Sequence, residues 1–142
     1  MAHQKDLAMP LRITLKPFER LIINGALIKN GSRNSNFVIE NHCKFLREGE
    51  IIHESEADTP CKKLCVTLQV LHLSEDPAEV ENLFFRQAVD VMKIMPSAAP
   101  FMSAIQSALA EKNTHAAIKA GKQLVYHERD LLAARSDETA AA

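Results

Sequence analysis

Apolar and polar residues alternate strictly along Leu11-Arg12-Ile13-Thr14-Leu15-Lys16, the period of a strand with one buried face. Pro17 ends that run. Two further apolar segments, residues 20–23 and 26–29, are separated by Asn24-Gly25. Both residues of that pair accept the positive φ of a type I′ turn, so a tight hairpin is expected. A second pair, Asn30-Gly31, opens the polar stretch 32–36. Phe37-Val38-Ile39-Glu40 and residues 43–47 read as further strands, and Gly49 turns the chain into Ile51-Ile52. Five or so short strands at this spacing describe a small antiparallel sheet or a partial barrel.

After about residue 57 the period becomes helical. Thr59-Pro60 is a helix start, with Thr as N-cap and Pro where its missing N–H costs nothing. Cys61, Leu64, Cys65, Leu68 and Leu71 follow, with Val66, Val70 and Leu73 adding apolar surface, so this helix should be nearly all buried, covered by the chain's own sheet in preference to a partner. Asp76-Pro77-Ala78-Glu79 has capping-box spacing, ahead of a stripe of Val80, Leu83, Phe84, Ala88, Val91, Met92 and Met95. Pro96 stops that helix. A third helix over 97–112 turns Phe101 or Met102, Ile105, Ala108 and Leu109 inward. Asn113-Thr114 link and cap a fourth, with Ala117, Ala120, Leu124, Val125, Leu131 and Leu132 inward. So short a link sets the last two helices antiparallel. The class is α+β: an N-terminal antiparallel sheet or partial barrel, then a bundle of about four helices. Residues 1–8 are expected to be a disordered extension, 9–56 a β module, 57–135 a helical module and 136–142 a frayed tail.

Composition narrows the possibilities. Across 142 residues, 46% apolar and 25% charged side chains describe a folded chain. The formal net charge of −1 conceals two unlike parts. Residues 1–47 carry eight basic and three acidic side chains, and residues 48–142 nine basic and fifteen acidic. Such asymmetry points to a polyanion-facing segment joined to an acidic one that suits protein contacts. The three cysteines have no framework spacing, which fits free thiols in a reducing compartment. No apolar stretch has the form of a signal peptide, and the uncharged run 94–110 is interrupted by Pro96 and Pro100, so a cytoplasmic protein without a membrane span is expected.

Candidate chemistry is sparse. No phosphate-binding loop, dinucleotide fingerprint or nucleophile elbow occurs. Cys61 and Cys65 share a helix face and Cys43 adjoins His42, yet no spacing matches a zinc site, and both helical thiols fall on an apolar stripe. The six histidines are scattered, and Glu48/Glu50 and Glu54/Glu56 read as solvated. An enzyme is not expected, nor a cofactor or metal. The basic residues say more. Arg12, Lys16, Arg20, Lys29, Arg33, Lys44 and Arg47 all fall in the β module, alongside Ser32, Asn34, Ser35 and Asn36 as further donors. That mixture serves phosphate oxygens well, although Lys and Arg also keep edge strands soluble. Phe18, Phe37 and Phe45 are the stacking platforms available, some of them needed by the core. A small sheet can also pair across a two-fold, so a homodimer is open.

An ordered set of segments resembles a known family. Met9-Pro10-Leu11-Arg12-Ile13-Thr14-Leu15-Lys16-Pro17-Phe18-Glu19-Arg20, then Ile23-Asn24-Gly25-Ala26, Asn30-Gly31 and Val38-Ile39-Glu40-Asn41, is similar to the start of the bacterial flagellum biosynthesis repressor family, FlbT. Glu56-Ala57-Asp58-Thr59-Pro60-Cys61-Lys62-Lys63 resembles that family's helix start with its basic pair. The resemblance covers residues 9 to about 135. It implies a post-transcriptional regulator that binds the 5′ untranslated region of flagellin messenger RNA, represses translation and promotes decay of the message. It also implies interplay with the flagellin regulator FlaF. On this pattern Lys62 and Lys63, at a helix N-terminus, join the RNA-binding candidates. The alternative is an adaptor or chaperone that engages flagellin or a flagellar regulator through the helical module.

Overall fold

Five strands form two small antiparallel sheets in the computed structural model, which describes residues 10–141, with side chains as far as Ser136. The expected extension, residues 1–8, lies outside the described residues. Strand β1 (Leu11–Leu15) pairs with β4 (Ser35–Ile39), and β2 (Arg20–Ile23) lies between β3 (Ala26–Lys29) and β5 (Phe45–Arg47). The expected hairpin forms: Asn24 and Gly25 sit at φ 47° and 84°, the positive pair a type I′ turn requires. Asn24 also fastens the approach to β5, because its peptide N–H donates to the Lys44 carbonyl at 2.8 Å and its Oδ1 accepts the Lys44 N–H at 3.0 Å.

Registers decide which side chains face inward. Ile13 lies opposite Phe37 and Leu11 opposite Ile39, so one face of the first sheet is apolar. Leu21, Ile23 and Phe45 share a face of the second by the same reasoning. Ile13, Leu15 and Leu21, each at most 2% exposed, close a core between these faces, with Ile23, Phe37, Ile39 and Phe45 packed around it.

The chain divides into two compact units between Ile51 and Ile52. Gly49 turns the chain into Ile51-Ile52, as expected, through a 3-10 turn over Glu48–Glu50. The Ile52 peptide is bound by a side chain. Its N–H donates to the Gln69 Oε1 at 2.6 Å, and Gln69 Nε2 donates back to the Ile52 carbonyl at 2.9 Å.

Four helices follow: α1 (Pro60–Leu73), α2 (Ala78–Ile94), α3 (Ala99–Ala110) and α4 (Thr114–Ala141). Thr59 caps α1 as its sequence demands, its side chain accepting the Lys62 N–H. No side chain caps α2: that helix starts behind Pro77 and the Asp76 box does not form. Asn113 caps α4, its Oδ1 accepting the Ala116 N–H at 3.0 Å. Helix α1 buries Cys61, Leu64, Cys65, Leu68 and Leu71, and α2 and α4 supply the cover. Helices α1 and α4 run antiparallel, touching at three places seven residues apart on α4. Thr114 Oγ1 lies 2.6 Å from His72 Nδ1, Gly121 meets Cys65 and Leu68, and Glu128 meets the start of α1. Leu131 and Leu132, expected inward, are 40% and 49% exposed. At 28 residues α4 is twice as long as α1, so residues beyond Glu128 run past its end. The backbone of α4 stays helical to Ala141, through the stretch where fraying was expected.

Candidate nucleic-acid interface

Two loops at one end of the β unit are laced together by a single side chain. Asn30 Nδ2 donates to the carbonyls of Leu15 at 3.2 Å, Lys16 at 2.8 Å and Arg33 at 2.8 Å. Its Oδ1 accepts from Gly31 N–H at 2.9 Å and Ser35 Oγ at 2.8 Å. Its own N–H donates to the Glu19 carbonyl at 2.8 Å. The second Asn-Gly pair is therefore a fastener and not a second I′ turn, since neither residue has positive φ.

The fastened loops carry Lys16 and Arg33, and the strand ends beside them carry Arg20 and Lys29, all exposed. Arg20 lies directly opposite Lys29 across the β2–β3 ladder, so both side chains leave the same face. Phe18 is 58% exposed, with the Lys29 Nζ over its ring, 5.7 Å from the centre. The other two candidate platforms, Phe37 and Phe45, are packed against the core. Phe18 is held at φ 62°, its N–H donating to the Gly31 carbonyl at 2.9 Å. The Lys16 N–H donates to Glu19 Oε1 at 2.8 Å and tightens the same turn.

The remaining candidate cations are not on these loops or on the Arg20–Lys29 strand pair. Arg12 is opposite Val38 on the outer face of the first sheet, beside Thr14, whose hydroxyl donates to Asn36 Oδ1 at 2.8 Å. It precedes Lys16 by four residues, about 13 Å of strand. Lys44 is exposed beside the Asn24-Gly25 turn, at the opposite end of β2 from Arg20. Arg47 pairs with Leu21 and so leaves the second sheet from the face opposite Arg20 and Lys29. Lys62 and Lys63 belong to the helical unit. Lys62 Nζ makes an ion pair with Asp58 at 3.1 Å, which holds the Asp58 carboxyl below its ordinary range.

The start of α1 is already occupied by a carboxylate. Glu128 accepts the Thr59 hydroxyl at 2.5 Å and the Cys61 N–H at 3.2 Å. This group sits where an anion is favoured by the helix dipole and its free N–H donors. No local sequence signal links Glu128 to Thr59, because the two are 69 residues apart. Burial, followed by the Glu128 charge, pushes the Cys65 thiol up to about 12, and burial with a hydrogen bond to Glu128 pushes Cys61 up further. Both thiols are held neutral and apolar, as expected of core cysteines. Among the described residues, no group of three or more His, Cys, Asp or Glu side chains is arranged to hold a metal ion, and no helix is long and apolar enough to cross a membrane.

Comparison with known proteins adds a family. Residues 11–132 match the family model described as flagellar protein FlbT. The chain is 29% identical over 124 residues to a "Probable flagellum biosynthesis repressor protein FlbT" of Rhodopseudomonas palustris (strain TIE-1), covering 87% of this chain and 98% of that one. A protein of Bradyrhizobium diazoefficiens with the same name, numbered 1, is 28% identical over 124 residues, 87% of this chain and 85% of its own. The "Flagellum biosynthesis repressor protein FlbT" of Caulobacter vibrioides (strain ATCC 19089) is 35% identical over 71 residues, half of each chain. No solved structure matches.

Proposed function

The chain belongs to the FlbT family of flagellar proteins, and on that premise we propose that it regulates flagellin synthesis by binding the 5′ untranslated region of flagellin messenger RNA, repressing translation and promoting decay of the message. The observation that carries the reading is the exposed Phe18 with Lys29 over its ring, Arg20 paired with Lys29, and Lys16 and Arg33 on the loops that Asn30 ties together. Cations position a nucleic-acid backbone and an aromatic ring engages an unpaired base. The relatives' names, flagellum biosynthesis repressors, support the regulatory part of the reading. The protein would act in the cytoplasm, where the message is translated.

Titration of labelled flagellin leader RNA at several salt concentrations tests this. Affinity should fall steeply with salt and exceed that for a scrambled leader. Arg33→Ala should weaken binding about two- to fivefold, the scale of one exposed charge. Arg12→Ala, in the other sheet and about 13 Å of strand from Lys16, should weaken it less. A flat salt profile, or equal binding of the scrambled RNA, rejects the reading.

The helical unit favours a second reading, an adaptor that engages flagellin or a FlaF-type regulator. Phe85 and Val89 lie one turn apart on α2, each 53% exposed, bordering Met92 and Met102. Retention of flagellin or a FlaF-type protein after nuclease treatment, with no affinity for leader RNA, would favour the adaptor. Sedimentation of the purified chain tests the homodimer proposed with either reading.

A further inference from the structure

We infer that Phe18 is a base-stacking platform for a single unpaired nucleotide, whose flanking phosphates are taken by Lys29 and Arg20. The inference rests on the RNA-binding reading and assigns its contact surface. Phe18 is 58% exposed and stands outside the apolar cluster of the β unit, so core packing does not explain its position. Its backbone nevertheless occupies the left-handed region at φ 62°, a conformation bulky L-residues rarely adopt. The turn holds it there: Phe18 N–H donates to Gly31, Glu19 N–H to the Lys16 carbonyl, and the loop beyond is tied by Asn30. A residue over-determined in an unfavourable backbone state and offering its ring to solvent has the form of a ligand contact.

The neighbours specify the ligand. Lys29 Nζ lies 5.7 Å from the ring centre, and Arg20 leaves the same sheet face from the paired position. An exposed aromatic ring with one cation over one face and a second cation at the paired strand position matches a nucleotide, with its flat base on the ring's other face and its anionic links on the cations. The strand must be single, because a base within a duplex already has both faces stacked. Every base has a π-face, so this contact contributes affinity with little choice of base.

The chain contains no tryptophan, so full-length Phe18→Trp carries a single indole reporter at the proposed contact. A short single-stranded uridine oligonucleotide should quench its emission, and an abasic oligomer of equal charge should not. Phe18→Gly relieves the backbone state and removes the ring, while Phe18→Leu keeps apolar bulk. Both should remain folded by circular dichroism and lose about 5- to 150-fold in affinity for leader RNA, the range of one base–aromatic stack. Equal quenching by both oligomers, or undiminished leader binding by a folded ring-less variant, overturns the platform and leaves RNA binding intact. Absence of leader binding by the unsubstituted protein overturns both.

Discussion

Asn30 shows how much one side chain can determine. Its two donor hydrogens are shared among three carbonyls and its oxygen accepts twice, so no hydrophobic substitute satisfies the same backbone groups. Replacing it by Ala should cost about 2–4 kcal/mol, several net hydrogen bonds. Urea denaturation reads this directly, and an unchanged midpoint would show that the two loops hold together without it. The buried thiols make a second prediction at this scale. Cys65 is raised to about 12 and Cys61 beyond that, against an ordinary value near 9. Below pH 9 these thiols are protonated whether the chain is folded or not, and their contribution to stability is complete. Between pH 9 and 12 the unfolded chain ionises first, so stability should fall as pH rises through that window. Cys43 is only partly buried, and although burial pushes its thiol up it should still react slowly with iodoacetamide at pH 8 in the native protein, and Cys61 and Cys65 only in denaturant. Rapid labelling of all three would contradict the buried assignment.

Elements were legible where their signals are local. The alternation of β1, the Asn24-Gly25 turn, the Thr59-Pro60 start and the short α3–α4 link each occupy a few adjacent residues, and each reappears in the structure. What was not legible depends on distant partners. Gln69 closes on the Ile52 peptide from 17 residues away, and Glu128 meets α1 from 67 residues away. The candidate interface divides in the same way. A list of cations can be read from the chain, but only the registers separate Arg20 and Lys29 from Arg47, and only the Asn30 contacts place Lys16 beside Arg33. Helix packing offers its own test at Gly121, where an added Cβ would lie 3.0 Å from both Cys65 Sγ and Leu68 Cδ1. Gly121→Ala gains helix propensity yet must displace the buried Cys65 and Leu68 side chains, which have little room to yield, so the net effect should be destabilising by about 1–3 kcal/mol. A raised melting temperature would mean that the two helices yield freely at this point.

Across the whole molecule, the net charge of −1 averages over two units that differ in sign. Polyanion binding follows local charge and not the total. Replacing Arg20 and Lys29 together by Gln should lower the salt slope of RNA binding by about 1.4, roughly 0.7 for each single-strand phosphate contact. Asp90→Asn with Glu111→Gln, both exposed on the helical unit, raises the total charge by the same amount and should leave affinity within about twofold. Fluorescence anisotropy over a potassium chloride series distinguishes the two. Equal and opposite effects would mean that the protein answers to its overall charge.

The contacts of α4 with α1 recur at Thr114, Gly121 and Glu128, and they differ in kind: a hydroxyl, a bare backbone and a carboxylate. Together they work as a gauge of length. Adding one residue between Thr114 and Glu128 turns everything beyond it by about 100° and withdraws the carboxylate from Thr59. Adding seven restores the angle but carries Glu128 about 10 Å past the end of α1. This stretch of α4 can therefore change its composition in evolution far more readily than its number of residues.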